Sequence, residues 1–243
     1  MIRRLLLMSV TLLVMLTLHS AAKADGIVFQ GPDPCFPAGV GRGCGADRAP
    51  HVLSLQSPGS STKEQGSVSR NSSGDVRTGD WLRGSNTQTV SLTDIGTTNA
   101  SNIRIYFDIN ESTGQNLNNV TLNSLVLTAY NSSGQAVFTA SLLGGPETLQ
   151  QLGQGQGHSD YVYGLDATAA ARLQAAIIAN GGNLRLGLSA DISGAQGGPE
   201  SFFIGSVQSP TATPEPATMF LLGTGLAGVA GDIRRRRRKA TQK

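Results

Sequence analysis

Residues 102–110, NIRIYFDIN, alternate without a break. Ile103, Ile105, Phe107 and Ile109 fall on one face, and Arg104, Tyr106 and Asp108 on the other. A period of two with one apolar side predicts an antiparallel strand packed on a core. The same pattern recurs at 120–130, with Leu125, Leu127 and Ala129 inward. The turn Asn131-Ser132-Ser133-Gly134 follows, and 135–143 returns as the hairpin partner. Further strands are expected at 51–55, 87–93, 160–165, 184–192 and 201–207. The period changes once. Residues 166–180 read as a helix, with Asp166 as N-cap, Leu173, Ala176 and Ile177 on its apolar face, and Asn180-Gly181-Gly182 as the stop.

Two stretches lack such a pattern. Residues 25–50 hold four prolines and six glycines, which leaves little room for a regular element. Residues 57–84 are polar and read as a long loop or loosely held hairpins. Trp81, the single tryptophan, is expected as a core anchor rather than an exposed sugar-stacking ring. The chain is thus expected to be all-β, an antiparallel sandwich or jelly roll with one inserted short helix. A Gly/Pro/Ser-rich region at 25–86 precedes the sandwich proper at 87–208, and 209–213 is a linker.

Both ends are apolar in a different way. Arg3 and Arg4 precede the apolar run 5–18, and Ala22-Lys23-Ala24 stands before Asp25. This is the layout of a secretory signal peptide, 1–24, cleaved between Ala24 and Asp25. At the other end, Pro214, Glu215 and Pro216 lead into the apolar segment 217–233. Arg234, Arg235, Arg236, Arg237, Arg238 and Lys239 follow it. As a helix the segment is about 25 Å long, just short of the roughly 30 Å hydrocarbon core of a bilayer. The arginine block stays on the cytoplasmic side, so the body of the protein points away from the cytoplasm. On physical grounds alone this is a C-terminal transmembrane anchor. Its Gly223-x-Gly225-x-x-Gly228 matches a dinucleotide fingerprint by chance, because it lies inside the apolar run.

The order Pro-Glu-Pro, glycine-rich apolar helix, arginine cluster (residues 214–239) resembles the PEP-CTERM sorting signal of exported proteins in Gram-negative bacteria. The resemblance covers about the last thirty residues. It implies that an exosortase, an integral-membrane cysteine protease or transpeptidase, reads Pro214, Glu215 and Pro216 and cleaves at or near them. Arg234 to Arg238 would act as the stop-transfer cluster. The Sec translocon would be the first partner. The family's association with exopolysaccharide makes a matrix or biofilm setting the implied destination.

Charge changes the picture once the tails are set aside. The whole chain is +3, but residues 25–213 hold nine Lys plus Arg against fourteen Asp plus Glu, a net of −5. No basic patch interleaved with aromatics is present, which excludes ordinary nucleic-acid binding. Cys35 and Cys44 are the only cysteines. In an oxidising compartment they are expected to close a short loop as a disulfide, with a gain of about 2–3 kcal/mol.

Chemistry is sparse. No H-E-x-x-H, G-x-S-x-G or P-loop occurs, and Ser, His and Asp have no distinguishing spacing, so catalytic residues are not expected. Asp108, Asn110 and Glu111 place three oxygen donors at a strand end, the ligand type calcium favours, with Asp191 or Glu200 available to complete a site. The alternative is a strand terminus with turn-forming residues. Three functions stay open: a non-enzymatic exosortase-sorted surface or matrix protein, a carbohydrate-binding or adhesin module on the same route, and a secreted hydrolase.

Overall fold

The structure, a computed structural model, describes residues 26–33, 49–59, 61–111, 119–152 and 159–207. They form twelve strands: β1 (Gly26–Pro32), β2 (His51–Leu55), β3 (Lys63–Asn71), β4 (Gly74–Gly79), β5 (Val90–Ser91), β6 (Ile103–Asp108), β7 (Asn119–Tyr130), β8 (Ala136–Leu142), β9 (Glu147–Gln150), β10 (Tyr161–Leu165), β11 (Arg185–Ser193) and β12 (Glu200–Ser206). One helix, α1 (Ala167–Ala179), lies between β10 and β11.

The fold is all-β, as the alternation predicts. Its layout differs from two separate antiparallel sheets. One hydrogen-bonded path runs β2-β12-β6-β10-β1-β8-β7-β11-β3-β4, with β5 on β11 and β9 on β7 as side branches. The path contains a parallel contact, β1 on β8, at Gly26–Ser141 and Ile27–Leu142. Its two ends are brought together by the segment leaving β4. The Gln56 amide donates to the Asp80 carbonyl (2.8 Å) and the Leu82 amide to the Ser54 carbonyl (2.9 Å). The sheet therefore curls around one apolar core built from nearly every strand and from Ala169, Ala170, Leu173 and Ile177 of α1.

Each element follows from local chemistry. In β6 and at Ile109 just beyond it the four apolar residues are buried as read, but Tyr106 and Asp108 are buried as well. Tyr106 joins Val162, Ala49 and Phe203 in a small second cluster on the opposite face. Phe107 of β6 stacks on Phe202 of β12 with centroids 4.5 Å apart and rings 5° from parallel. In β7 the inward set changes parity, from Val120 and Leu122 to Leu125, Leu127 and Ala129. A strict strand cannot change faces, so the register slips opposite Asp191 and Ile192. The side chain of Asn123, the residue skipped there, donates to Asp191 Oδ1 at 2.9 Å. Asp166 caps α1 by accepting the Ala169 amide at 2.7 Å. The helix ends where Gly181 and Gly182 take positive φ.

The structure corrects several expectations. Residues 26–32, read as too rich in Gly and Pro for a regular element, form β1 between β10 and β8. Here glycine is required rather than disruptive: a Cβ on Gly26 would stand 2.2 Å from the Ser141 carbonyl oxygen. Residues 63–79, read as loose, are the β3–β4 hairpin, held by six paired positions. Residues 147–150 form β9 on β7, which the alternation did not reveal. Residues 87–93 supply only the two-residue β5; Thr87 and Thr89 are buried, so that stretch does not alternate. Trp81 is only half-buried and lies outside the core. It bridges to Leu55 and carries the Arg77 guanidinium 5.6 Å above its ring. β1 to β4 share the sheet, and β1 to β3 the core, with the strands of 87–208.

Candidate functional sites

A calcium site was one of two readings of the residues at the end of β6, the other being a strand terminus with turn-forming residues. Of the candidate ligands the structure brings together only Glu111 and Glu200, and it engages Asn110 and Asp191 elsewhere. Asp108 is buried, and Asn110 offers its carbonyl to the Gly198 amide at 2.6 Å. The Glu111 carboxylate receives the Gln196 amide on both oxygens, at 2.9 and 3.0 Å. Asp191 lies on β11 beside Asn123. Among the described residues, no three acidic, His or Cys side chains are gathered so that a metal ion could be held.

Glu111 instead meets two other glutamates. Glu200, at the first position of β12, is fully buried, and Glu64, on β3, nearly so. No N–H or hydroxyl reaches either oxygen of Glu200. Its partners are the carboxyls of Glu64 and Glu111. Two carboxylates cannot hydrogen-bond without a proton between them. Burial first, then the two neighbouring carboxyls, push the Glu200 pKa up to about 12. Glu200 is therefore a neutral acid and a donor, while Glu64 also accepts the Ser57 amide at 2.9 Å. Only four glutamates stand between residues 25 and 213 of a charge-poor chain, and three of them converge here. That scarcity was the one sequence signal for the cluster. A polar pocket of ≈ 320 Å³ opens above Glu64, walled by Gln56, Ser57, Ser61, Thr62 and Gln196.

A second polar group surrounds His51. Its Nε2 lies 2.8 Å from Ser54 Oγ, which lies 2.7 Å from Ser201 Oγ. The ring meets Phe203 edge-on at 5.0 Å. Desolvation holds the imidazole below its ordinary pKa, with a weaker opposing effect from the Asn86 backbone. Histidine beside serine is the contact a nucleophile needs, but no carboxylate among the described residues reaches His51 Nδ1, and Ser54 is buried. A third group is structural. The Asp160 carboxylate accepts the Ile109 and Leu152 amides at 2.8 and 2.9 Å. Ser159 donates to Asp33 beside it.

The remaining sites read from the sequence lie outside the described residues. These are the cleavage point Ala24–Asp25, the pair Cys35 and Cys44, the motif Pro214, Glu215 and Pro216, the apolar segment 217–233 and the cluster Arg234 to Arg238. No helix among the described residues is long and apolar enough to cross a membrane. Residues 212–238 match the PEP-CTERM protein-sorting motif. The chain therefore carries the signature of an exported exosortase substrate, anchored in the membrane before processing. No curated protein and no solved structure matches the chain.

Proposed function

We propose that the protein is a non-enzymatic component of the cell surface or extracellular matrix of a Gram-negative bacterium. It is exported by its signal peptide and released or transferred by an exosortase. The observation that carries this is the sorting motif at 212–238. The body suits that role, being a curled sheet poor in charge and rich in Gly, Ser, Thr and Asn.

The buried glutamates argue for structure rather than hydrolysis. A general acid must titrate near the working pH and reach its substrate. Glu200 keeps its proton up to about 12 and has no exposed surface. In the His51–Ser54 pair the serine is buried, and no acid among the described residues orients the half-buried imidazole.

The test is replacement of Pro214, Glu215 and Pro216 by alanine in the native host, followed by cell fractionation. The wild-type protein is expected at the surface or in the medium. The variant is expected in the inner membrane with its tail intact. A variant that still reaches the surface in processed form contradicts the proposal.

A further inference from the structure

The geometry points to the outer face of β4, β3, β11, β7 and β8 as a docking surface for a neutral polysaccharide. This rests on the reading of the chain as a displayed surface protein and names what the displayed domain touches.

The face is laid out by register. Thr78, Ser67, Ser189, Val126 and Ser141 stand side by side across five strands. Their neighbours along each strand point into the core: Val68, Leu188, Ala190, Leu125, Leu127 and Ala140 are buried. One step along, Thr128 pairs with Thr139. Towards the other end, Ser193 pairs with Thr121, and Thr121 with Thr148 of β9. Strands about 4.8 Å apart and like-facing residues about 6.7 Å apart turn these positions into a lattice of hydroxyls. Some already bond sideways: Ser67 Oγ to Thr78 Oγ1 at 2.8 Å, and Thr121 Oγ1 to Thr148 Oγ1 at 3.0 Å. Such bonding orients a hydroxyl and leaves it further acceptor capacity.

Charge selects the occupant. On this face the ionisable groups are Asp191, engaged by Asn123, Lys63 at the start of β3, and Arg185 at the start of β11, whose guanidinium is already spent on the Thr89 hydroxyl and carbonyl. A soluble domain ordinarily covers such a face with mixed Lys, Arg, Glu and Asp. An anionic polymer or a nucleic acid would find almost no cations here. A protein partner would find serine, which interfaces deplete, in place of the aromatic, Met and Arg anchors they favour. A neutral polyol exchanges hydroxyl for hydroxyl and has no charge to desolvate. Each such bond gains little against water, so a polymer spanning several rows binds where one sugar does not. Tyr130 adds an apolar surface beside Gly187, where an added Cβ would lie 3.2 Å from its ring.

The experiment uses the processed protein recovered from the envelope, with insoluble cellulose and curdlan as neutral probes and alginate beads as the anionic one. Retention on at least one neutral glucan is expected, undiminished by high salt and reversed by soluble oligomers of that glucan but not by glucose. The double variant Ser189→Lys/Ser141→Lys is expected to lose at least tenfold in retention with an unchanged circular dichroism spectrum. Ser132→Lys/Ser133→Lys, on the β7–β8 turn, serves as a charge-matched control and is expected to bind normally. Three results overturn the proposal. They are no retention on either neutral glucan, retention that the face variant leaves unchanged, and retention on alginate alone that salt abolishes. A protein that is correctly sorted yet fails on the glucans sinks this inference and leaves the sorting reading standing.

Discussion

Glu200 holds a proton that an unfolded chain would give to water. Below the ordinary glutamate range both states carry it. Above that range the unfolded state loses it, while the folded protein keeps it until about pH 12. The stabilisation from this group is therefore complete at acid pH and falls as pH rises, by at most about 1.4 kcal/mol per pH unit. Glu200→Gln keeps a donor towards Glu64 and Glu111 and has no proton to lose. Urea unfolding from about pH 5 to 9 is expected to show a flatter profile for the variant, and greater stability than wild type at the alkaline end. Equal slopes in the two proteins would contradict the shared-proton account. Asp160 is the opposite case, a buried acceptor for two backbone amides. Asp160→Ala is expected to cost about 3 kcal/mol by equilibrium unfolding, since two amides lose a charged partner. What was legible at this scale was local. Asp166 as a cap and Asn131 as a turn former act on amides two to four residues away. Glu64, Glu111 and Glu200 are separated by tens of residues, and only the fold brings them together.

At the scale of elements, strict alternation was a reliable guide where one face was apolar and the other wet, as in β8 and in residues 125–130 of β7. It misled where backbone geometry, not side-chain polarity, set the structure. β1 is a strand because Gly26 admits the Ser141 carbonyl and Gly31 allows a register shift; to a composition rule both glycines look like breakers. The β7–β8 turn shows the same dependence. Gly134 has φ +76°, and a Cβ there would stand 2.2 Å from the backbone of Asn71 at the end of β3. Gly134→Ala is expected to destabilise by about 2 kcal/mol or more, read by denaturant titration, because strain and collision add. For α1, Asp166 both caps the helix and accepts the Gly26 amide at 3.3 Å, tying it to β1. Asp166→Ala is expected to cost about 1 kcal/mol, and Asp166→Asn much less.

For the whole molecule, the destination was far easier to read than the body. A sorting signal is a linear string recognised in order, so its three parts survive intact in the sequence and match residues 212–238. The curled sheet is a set of long-range pairings, β1 with β8 and β2 with the segment after β4, that no local period encodes. The central claim is that this β body is exported and then parted from its tail. The most direct measurement is the intact mass of the protein from envelope and medium, in the native host with and without its exosortase. The account predicts a species that begins at Asp25 and ends near Pro214 only when the enzyme is present. A species that keeps residues 234–243 under both conditions would contradict it and make the tail an ordinary membrane anchor.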